Sequence, residues 1–394
     1  MDPRFHGGDT GMGKKGRNLR IKSYSLTPLS LRDPCINRQD LVESLWFALI
    51  AIGRTKMQKS FETQPALFVA TSALDHPSLH ALDSVEAVLD WKKLETVISG
   101  IYASERGRPS YPLLTLLRAL LLGVWYRLCD EQLASCLARD LLFRRFCRLE
   151  FGAGIPDATT LGRFRAQIVR HDVWELLLGE VNRQLEEKNI IMTEGRINII
   201  DATPVEAARS GHGHGKDGQP VRDKEAGWHV KKNARGKVTA TYGYSVHTGV
   251  DEDGFVHRQT VTAGHVHDSQ ERDTLLLGDE SALYADPAYA SKQTQDKLAR
   301  FGIADRVQRK GHRGHPLSCE DKARNKDIAV TRSGGERPFA TYKRIFGLAR
   351  TRFMGLAKNL TAYGLAAIAL NVQKAAKFLA LYGLPPNLNP STTG

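Results

Sequence analysis

The segment INIIDATPVEA, residues 197–207, decides the fold class of this chain. Its apolar start ends at Asp201, and two further strand patterns follow, TATYGYSVHTGVD at 239–251 and FVHRQTVTAG at 255–264. Runs rich in β-branched and aromatic residues, separated by Asp and Gly, are typical of consecutive strands joined by turns. We therefore expect an antiparallel meander of three strands to begin at residue 197.

After the meander the pattern alternates between helix and strand. A helix is predicted over 268–277, capped by its first or second residue, and the short apolar strand of ALYADPAYAS, 282–291, follows it. A helix over 291–302, a strand over 303–308 and a last helix beginning near Glu336 complete the order. This order predicts an α/β fold of the ribonuclease-H-like kind, a mixed five-stranded sheet with helices on both faces.

The part of the chain before the meander has a helical pattern. The signals are an apolar stretch at 111–126 and candidate helix caps at Asp130, at Asp140 and at either Asp157 or Thr159. They predict an all-α N-terminal domain. Such a domain either docks on duplex DNA or on another subunit, or is purely structural, and the pattern alone favours neither alternative.

Changes in composition divide the chain into four predicted parts. Residues 1–60 are a leader, either disordered or an upstream extension, and residues 61–190 are the helical domain for DNA binding or assembly. Residues 191–360 are the ribonuclease-H-like catalytic domain. Residues 361–394 are an Ala-rich C-terminal helix and tail, and we expect this helix to serve packing or dimerisation.

The charge balance predicts a polyanionic partner. Lys and Arg outnumber Asp and Glu by 56 to 43, a net charge of +13, and residues 306–358 alone hold 14 basic and 4 acidic side chains. A basic excess of this size is typical of nucleic-acid binding. The five cysteines form no C-x-x-C pair, and no apolar stretch reaches the roughly 18 residues that span a bilayer. These features favour a cytoplasmic protein without a zinc ribbon, a disulfide framework or a membrane segment.

Three acidic residues are candidates for chemistry. Asp201 and Asp286 each end a short apolar strand, where an ionised carboxylate is costly to desolvate unless a cation or hydrogen bonds compensate it. A turn or helix cap explains one such aspartate alone, but two of the same form favour a shared site. Glu336 precedes Pro338, which is tolerated only in the first helical turn, so we expect a helix from there through about Arg350. An ordinary solvated helix face is the alternative for this glutamate.

Carboxylates at these positions suit metal-dependent phosphoryl transfer. Mg²⁺ and Mn²⁺ prefer hard oxygen ligands, and two such ions about 3.5–4 Å apart activate a nucleophile and stabilise a leaving oxygen. We predict Asp201, Asp286 and Glu336 as the catalytic residues and as the ligands of two Mg²⁺ or Mn²⁺ ions. Arg332, Arg337 and Lys343 would hold phosphates beside them.

At these residues the chain resembles the DDE transposases of bacterial insertion sequences, most closely the insertion-sequence-five group. IIDATPVEA (199–207) and LYADPAYAS (283–291) look like the first two acidic blocks of that family. Arg332, Glu336 and Lys343 look like its third signature, in which Arg, three residues, Glu, six residues and Lys follow in order. Three ordered blocks together are far more specific than any one of them.

The resemblance covers about residues 91–377. It implies metal-dependent cleavage and strand transfer of DNA at the terminal inverted repeats of an insertion sequence. The implied partners are double-stranded DNA, as element ends and as target, and further copies of the chain in a homodimer or larger assembly, on the nucleoid of the cytoplasm. One departure is Ala329, which stands where related groups have a tyrosine, so a phosphate contact from that tyrosine is not expected.

Two other functions compete with an active transposase. One is a catalytically inactive DNA-binding remnant or regulator, and the other is a structure-specific nuclease of the same fold. The presence of all three acids favours the active enzyme, since a decayed copy is free to lose them.

The predicted DNA-binding side chains are basic residues of the third block and of the helix after Pro156. They are Arg163, Arg165, Arg332, Arg337, Lys343, Arg344, Arg350, Arg352 and Lys358. Trp228 and His229 either stack on an unpaired base or anchor the edge of a strand, and the sequence leaves both interpretations open.

Overall fold

The computed structural model describes seven stretches of the chain, which are 76–101, 110–150, 154–193, 195–209, 222–232, 236–311 and 314–383. The chain divides into two units, Met1–Leu67 and Phe68–Gly394, and every described residue lies in the second. The predicted leader, residues 1–60, lies outside the described residues.

Seven α-helices precede the sheet in the described residues. They are α1 (Asp83–Val88), α2 (Trp91–Ile98), α3 (Leu113–Trp125), α4 (Asp130–Arg139), α5 (Leu141–Phe146), α6 (Ala158–His171) and α7 (Val173–Glu187). Asp140 and Asp157 cap α5 and α6 as predicted, because their carboxylates accept hydrogen bonds from backbone N–H groups of the first turn. The expected cap at Asp130 is wrong, since α4 already begins at that residue and its N-cap is Cys129.

The sheet has six strands instead of the five predicted. They are β1 (Ile197–Glu206), β2 (Gly227–Lys232), β3 (Val238–Val250), β4 (Val256–Ala263), β5 (Ala282–Ala285) and β6 (Ala304–Val307). The strand order is β2-β3-β1-β5-β6, and β4 also pairs with β3. The unpredicted β2 lies in a polar, Lys-rich stretch without apolar alternation, and it forms because the long β3 offers it a partner from Val238 to Gly243.

The pairing directions give the mixed sheet of a ribonuclease-H-like fold, which confirms the predicted fold class. β1 is antiparallel to β3 and parallel to β5, and β5 is parallel to β6. A parallel pair needs a crossover, and the segment between β4 and β5 provides it. This segment holds a 3₁₀ turn (Asp268–Gln270) and helix α8 (Arg272–Leu275) in place of the single helix predicted. The N-cap of the turn is His267, so neither residue expected as the cap has that role.

The described region after β5 contains four further α-helices and three short 3₁₀ or π-helical turns. A 3₁₀ turn (Pro287–Tyr289) leads to α9 (Lys292–Arg300), and after β6 come α10 (Cys319–Arg332), a 3₁₀ turn (Ser333–Gly335), α11 (Glu336–Ala340), a π-helical turn (Thr341–Ile345) and α12 (Leu356–Tyr382). The predicted last helix therefore does begin at Glu336.

Helix α11 ends at Ala340, however, and the π-helical turn that continues it ends at Ile345, so the helix does not reach Arg350. Gly347 has a φ of +70°, and a side chain there would clash with the guanidinium of Arg127. The chain then turns back to the sheet, where the backbone N–H of Thr351 donates to the carbonyl oxygen of Glu206 at 2.8 Å. A helix continued to Arg350 could not form this backbone hydrogen bond with the end of β1.

Helix α12 lies at the centre of one core that joins the helical part to the sheet. It packs against α1, α3, α7 and β4. Asn371, fully buried, accepts a hydrogen bond from the backbone N–H of Val256 and donates to the side chain of Asn182 in α7. Among the described helices α12 is long and apolar enough to cross a membrane, but 61% of its most apolar window is buried inside the protein. It packs inside the protein, as predicted.

Candidate active site

The sheet brings the two predicted aspartates to the same level of neighbouring strands. Asp201 belongs to β1, and Asp286 follows β5 directly. Ile199 of β1 pairs with Tyr284 of β5, and each aspartate lies two residues beyond that pair. Because the strands are parallel, both carboxylates lie towards the carboxyl end of this strand pair, where α/β folds place ligand sites.

Glu336 reaches this place through a close approach of helix to strand. It is the first residue of α11 and follows Gly335, which lies directly over β1. A side chain at Gly335 would have its Cβ only 2.9 Å from Cγ2 of Ile199 and 3.4 Å from Cβ of Asp201. The absence of a side chain at this glycine therefore allows the helix carrying Glu336 to lie against the strand carrying Asp201.

Arg332 connects two of the three acids. Its Nη1 lies 3.5 Å from Oδ2 of Asp201, and its Nη2 lies 3.5 Å from Oε1 of Glu336. The side chain of Asp201 is 14% exposed and that of Glu336 is 65% exposed, so the guanidinium connects a mostly buried carboxylate to an exposed one. Both contacts are longer than a good charge-assisted hydrogen bond. Arg332 thus balances charge here without fully occupying either carboxylate.

The three acids share one electrostatic environment. The pKa of Asp201 is raised to about 6, mainly by burial, and the charges of Asp286 and Glu336 raise it further. A hydrogen bond from the backbone N–H of Ala202 and the charge of Arg332 act in the opposite direction. A cation placed among these carboxylates would relieve both the burial penalty and the mutual repulsion.

These donors fit a divalent metal ion in chemistry, although they do not form a closed cage. Carboxylate oxygens are the ligands that Mg²⁺ and Mn²⁺ prefer. One oxygen of Asp201 accepts from the N–H of Ala202, and one oxygen of Asp286 accepts from the N–H of Ala288 and caps its turn. Within the described stretches, no three Asp, Glu, His or Cys side chains are grouped closely enough to hold an ion as they stand. Binding would therefore require the carboxylates to turn inward.

Lys343 lies on the same face of β1 as Asp201. Its Nζ donates a hydrogen bond to Oγ1 of Thr203 at 2.6 Å, and Thr203 is two residues beyond Asp201 along the strand. Burial lowers the pKa of this lysine. The ammonium group therefore lies at the edge of the acidic site, where the sequence predicted a phosphate contact.

Three of the other predicted DNA-binding arginines make contacts inside the protein. Arg165 forms a bidentate pair with Asp130 and stacks on the ring of Phe353 at 5.2 Å. Arg352 donates to the carbonyl oxygen of Leu128 at 2.8 Å, and Arg350 donates to that of Ala207 at 3.2 Å. The remaining predicted side chains are exposed, and they are Arg163, Arg337, Arg344 and Lys358. DNA contact by any residue of this set stays a prediction.

Trp228 has the role of an anchor in the described structure. It lies on β2, opposite Tyr242 of β3, with ring centroids 5.2 Å apart, and it packs against the main core. This geometry agrees with the strand-edge interpretation of Trp228.

Sequence reasoning missed three polar residues beside the site, which are His247, Asp268 and Tyr289. Asp268 opens the 3₁₀ turn after β4, and its pKa is raised by burial and then by the charge of Asp286. His247 is fully buried in β3, and burial lowers its pKa to about 4, so the ring is neutral at physiological pH. Strand alternation places His247 on the face of β3 opposite Tyr244 and Val246, and this pattern indicates neither that the second face is buried too nor that the ring faces Asp268.

Two family models match the chain and decide its family. Residues 73–167 match a transposase domain (DUF772), and residues 193–372 match the transposase DDE domain. The chain belongs to the DDE transposases of insertion sequences. The transposase is accordingly an enzyme of metal-dependent DNA transposition, which confirms the reaction class expected from its three acidic blocks.

The first match lies before the sheet, and the second covers the sheet. The first ends within α6, and the second runs from just before β1 into α12. Asp201, Asp286 and Glu336 all lie within the second match, and the family to which it belongs depends on divalent metal and acts on DNA. Membership of the insertion-sequence-five group stays a prediction, as do the domain boundaries.

Proposed function

We propose that this transposase cleaves DNA at the terminal inverted repeats of its insertion sequence and joins the freed ends to target DNA. Asp201, Asp286 and Glu336 are its catalytic residues and hold two Mg²⁺ or Mn²⁺ ions. The observation that carries the proposal is the single electrostatic cluster made by these acids, with Arg332 between Asp201 and Glu336.

The chemistry assigns distinct tasks to the protein side chains. When bound, a pair of divalent ions makes water or a DNA 3′-hydroxyl more acidic and neutralises charge on the leaving oxygen. The sheet holds the backbone of Asp201 and the turn holds that of Asp286, so only their carboxylates turn to bind an ion, whereas the exposed Glu336 forms the side nearest the DNA. Lys343 and Arg332 bind the phosphates that flank the scissile bond, since both lie at the edge of the acids.

The transposase works as a homodimer or larger assembly in the cytoplasm, on the nucleoid. An insertion sequence has two ends, and coordinated cutting at both requires at least two copies of the site. Closed symmetric dimers are the commonest assemblies of identical chains.

The proposal is tested with purified protein, Mg²⁺ and labelled DNA that carries candidate element ends. Wild-type protein is expected to release or transfer the ends. Asp201→Asn, Asp286→Asn and Glu336→Gln should each abolish cleavage while leaving DNA binding intact, and the exposed Asp296→Asn on α9 should match wild type. DNA binding without any cleavage by the wild type would instead identify a regulator, and cleavage by all three variants would overturn the assigned residues.

A further inference from the structure

Asp268 and Asp286 lie in two one-turn segments that pack against each other. Asp268 is the first residue of the turn Asp268–Gln270, and Asp286 caps the turn Pro287–Tyr289. Asp268 does not cap its own turn, because Nδ1 of His267 accepts the backbone N–H of Ser269 at 3.3 Å. The Asp268 carboxylate is therefore available for another role next to Asp286.

His247 points at this carboxylate from inside the sheet. Its Nε2 is hydrogen-bonded to Oγ1 of Thr262 at 2.9 Å, and its Nδ1 lies 3.7 Å from Oδ1 of Asp268. The ring is fully buried, and Nδ1 has no hydrogen-bond partner among the described residues. A buried polar atom without a partner costs about 1–3 kcal/mol, so its position calls for an explanation.

Tyr289 is a second buried side chain with an unused polar atom. Its hydroxyl has no hydrogen-bond partner in the described parts of the chain, and the acids that influence it most are Asp268, Asp201 and Asp286. Two unused buried polar atoms, on different elements, thus border the same acidic cluster. Both atoms are free to hydrogen-bond to a group brought into this cluster.

We propose that Asp268 is a fourth carboxylate of the active site, oriented by His247, and that it binds the same divalent ion as Asp286. This inference rests on the proposed function and adds a ligand to it. His247 is the positioning residue, because Thr262 holds one ring nitrogen and hard cations take oxygen ligands in preference to imidazole. A histidine that donates to a metal-binding carboxylate fixes the orientation of that carboxylate.

The groups around Asp268 agree with this assignment. Besides Asp286, the charged groups that act on Asp268 are His229 and Lys231 of β2 and His267. Among the described residues its contact with a basic side chain is the 3.7 Å approach of the neutral His247 ring. A cavity of about 300 Å³ also opens beside it, lined in part by Trp228, His229 and His265. The carboxylate therefore has both room to turn and no competing salt bridge.

The test measures Mn²⁺ binding to the full-length protein without DNA, from the free Mn²⁺ signal in electron paramagnetic resonance. Asp268→Asn should weaken Mn²⁺ binding by about 10- to 100-fold, the range typical when a residue around a bound metal ion is lost. The control Asp296→Asn should bind like wild type. Asp286→Asn is measured in parallel and should lose binding more completely.

A second pair of variants tests the positioning role of His247. His247→Gln should weaken Mn²⁺ binding about 10-fold in the wild-type background and have no further effect in the Asp268→Asn background. A merely structural histidine would lower the melting temperature and leave Mn²⁺ affinity unchanged, or would act equally in both backgrounds. Either result would overturn the role given to His247.

The outcomes separate this inference from the proposed function. Normal Mn²⁺ binding by Asp268→Asn, with binding lost in Asp286→Asn, overturns the fourth carboxylate and leaves the proposed function standing. Normal binding by both variants contradicts the metal site itself. A further check needs no variant. Wild-type protein is loaded with Fe²⁺ and treated with ascorbate and peroxide, and the positions of the backbone cuts are mapped. Cuts near residues 201 and 286 without cuts near 268 would also refute the inference.

Discussion

At the scale of single residues, Arg332 is a basic side chain that contacts two of the three predicted catalytic acids. Its two nitrogens reach carboxylates from different elements, Asp201 of β1 and Glu336 of α11. The planar guanidinium fork can span both carboxylates, whereas the ammonium of a lysine is a single point of charge. A positive charge alone is therefore not sufficient to contact both carboxylates at once.

Replacing Arg332 should slow DNA cleavage in two distinguishable steps. Arg332→Gln, which removes the charge, should reduce the single-turnover rate by about 100-fold, and Arg332→Lys, which keeps the charge, by about 10-fold. Single-turnover cleavage of labelled element ends measures both rates. Arg300→Gln, on the exposed end of α9, is the matched control. Equal rates for Arg332→Lys and wild type would show that the fork geometry is not needed.

The sequence predicted Asp286 at a strand end, and β5 does end at Ala285, but the strand predicted to end at Asp201 continues to Glu206, so Asp201 lies inside β1. An apolar run that stops at an aspartate can be recognised from five residues. The neighbourhood of His247 and Asp268 depends instead on the register between β3, β4 and the turn that follows β4. Register is set by pairing across the sheet, so no local pattern predicts which side chains face each other.

At the scale of elements, the contact of α11 with β1 controls where Glu336 lies. Gly335 permits this contact, since its Cβ would lie 2.9 Å from Ile199. The prediction that this helix begins at Glu336 was right because Pro338 marks a first turn, but its end depended on Gly347 and on backbone bonds to β1. Helix α10 was missed because its exposed, charged sequence has only one fully buried position, Ile328.

Gly335→Ala should impair catalysis more than folding. The added methyl group would push α11 away from β1 by a few tenths of an ångström or more and would move Glu336 with it. A displacement of about 1 Å at a reacting group costs as much as 100-fold in rate, so we expect at least about a 10-fold loss of cleavage. Cleavage rate and melting temperature are the two measurements. Gly179→Ala in α7, where a methyl group meets nothing within 4 Å, should leave both unchanged or slightly raise stability.

Asn371→Leu should destabilise the whole protein without touching the active site. Asn371 joins α12 to β4 and α7 through hydrogen bonds with Val256 and Asn182, and leucine would leave buried polar groups unpaired. The free energy of unfolding should fall by about 3 kcal/mol, and chemical denaturation measures it. Lys377→Gln, on the exposed side of the same helix, should change stability by less than about 0.5 kcal/mol. Equal stability of both variants would contradict the role given to Asn371.

At the scale of the whole molecule, positive charge should dominate DNA affinity. The chain carries a net charge of +13, and residues 306–358 hold 14 basic and 4 acidic side chains around Glu336. Neutralising phosphates releases counterions, so affinity falls as salt rises. This expectation rests on composition alone, because net charge needs no knowledge of the fold.

Raising salt from 50 to 200 mM should weaken DNA binding by about 1,000-fold or more, if six or more phosphates are contacted. Fluorescence anisotropy with a duplex of the element end measures the slope of log affinity against log salt. The double variant Arg344→Gln with Lys358→Gln should reduce the magnitude of this slope by about 2. Lys92→Gln on the exposed face of α2 is the comparison, and equal slopes for all three proteins would place the DNA elsewhere.

The central position of α12 has a consequence for protein synthesis. Helices α1, α3 and α7 and strand β4 all pack on a helix that ends at Tyr382, more than 250 residues after α3. A growing chain on the ribosome cannot close this core until that last segment has emerged. We therefore expect a chain that stops before residue 356 to leave the α12-facing sides of α1, α3 and α7 uncovered and to be prone to aggregation.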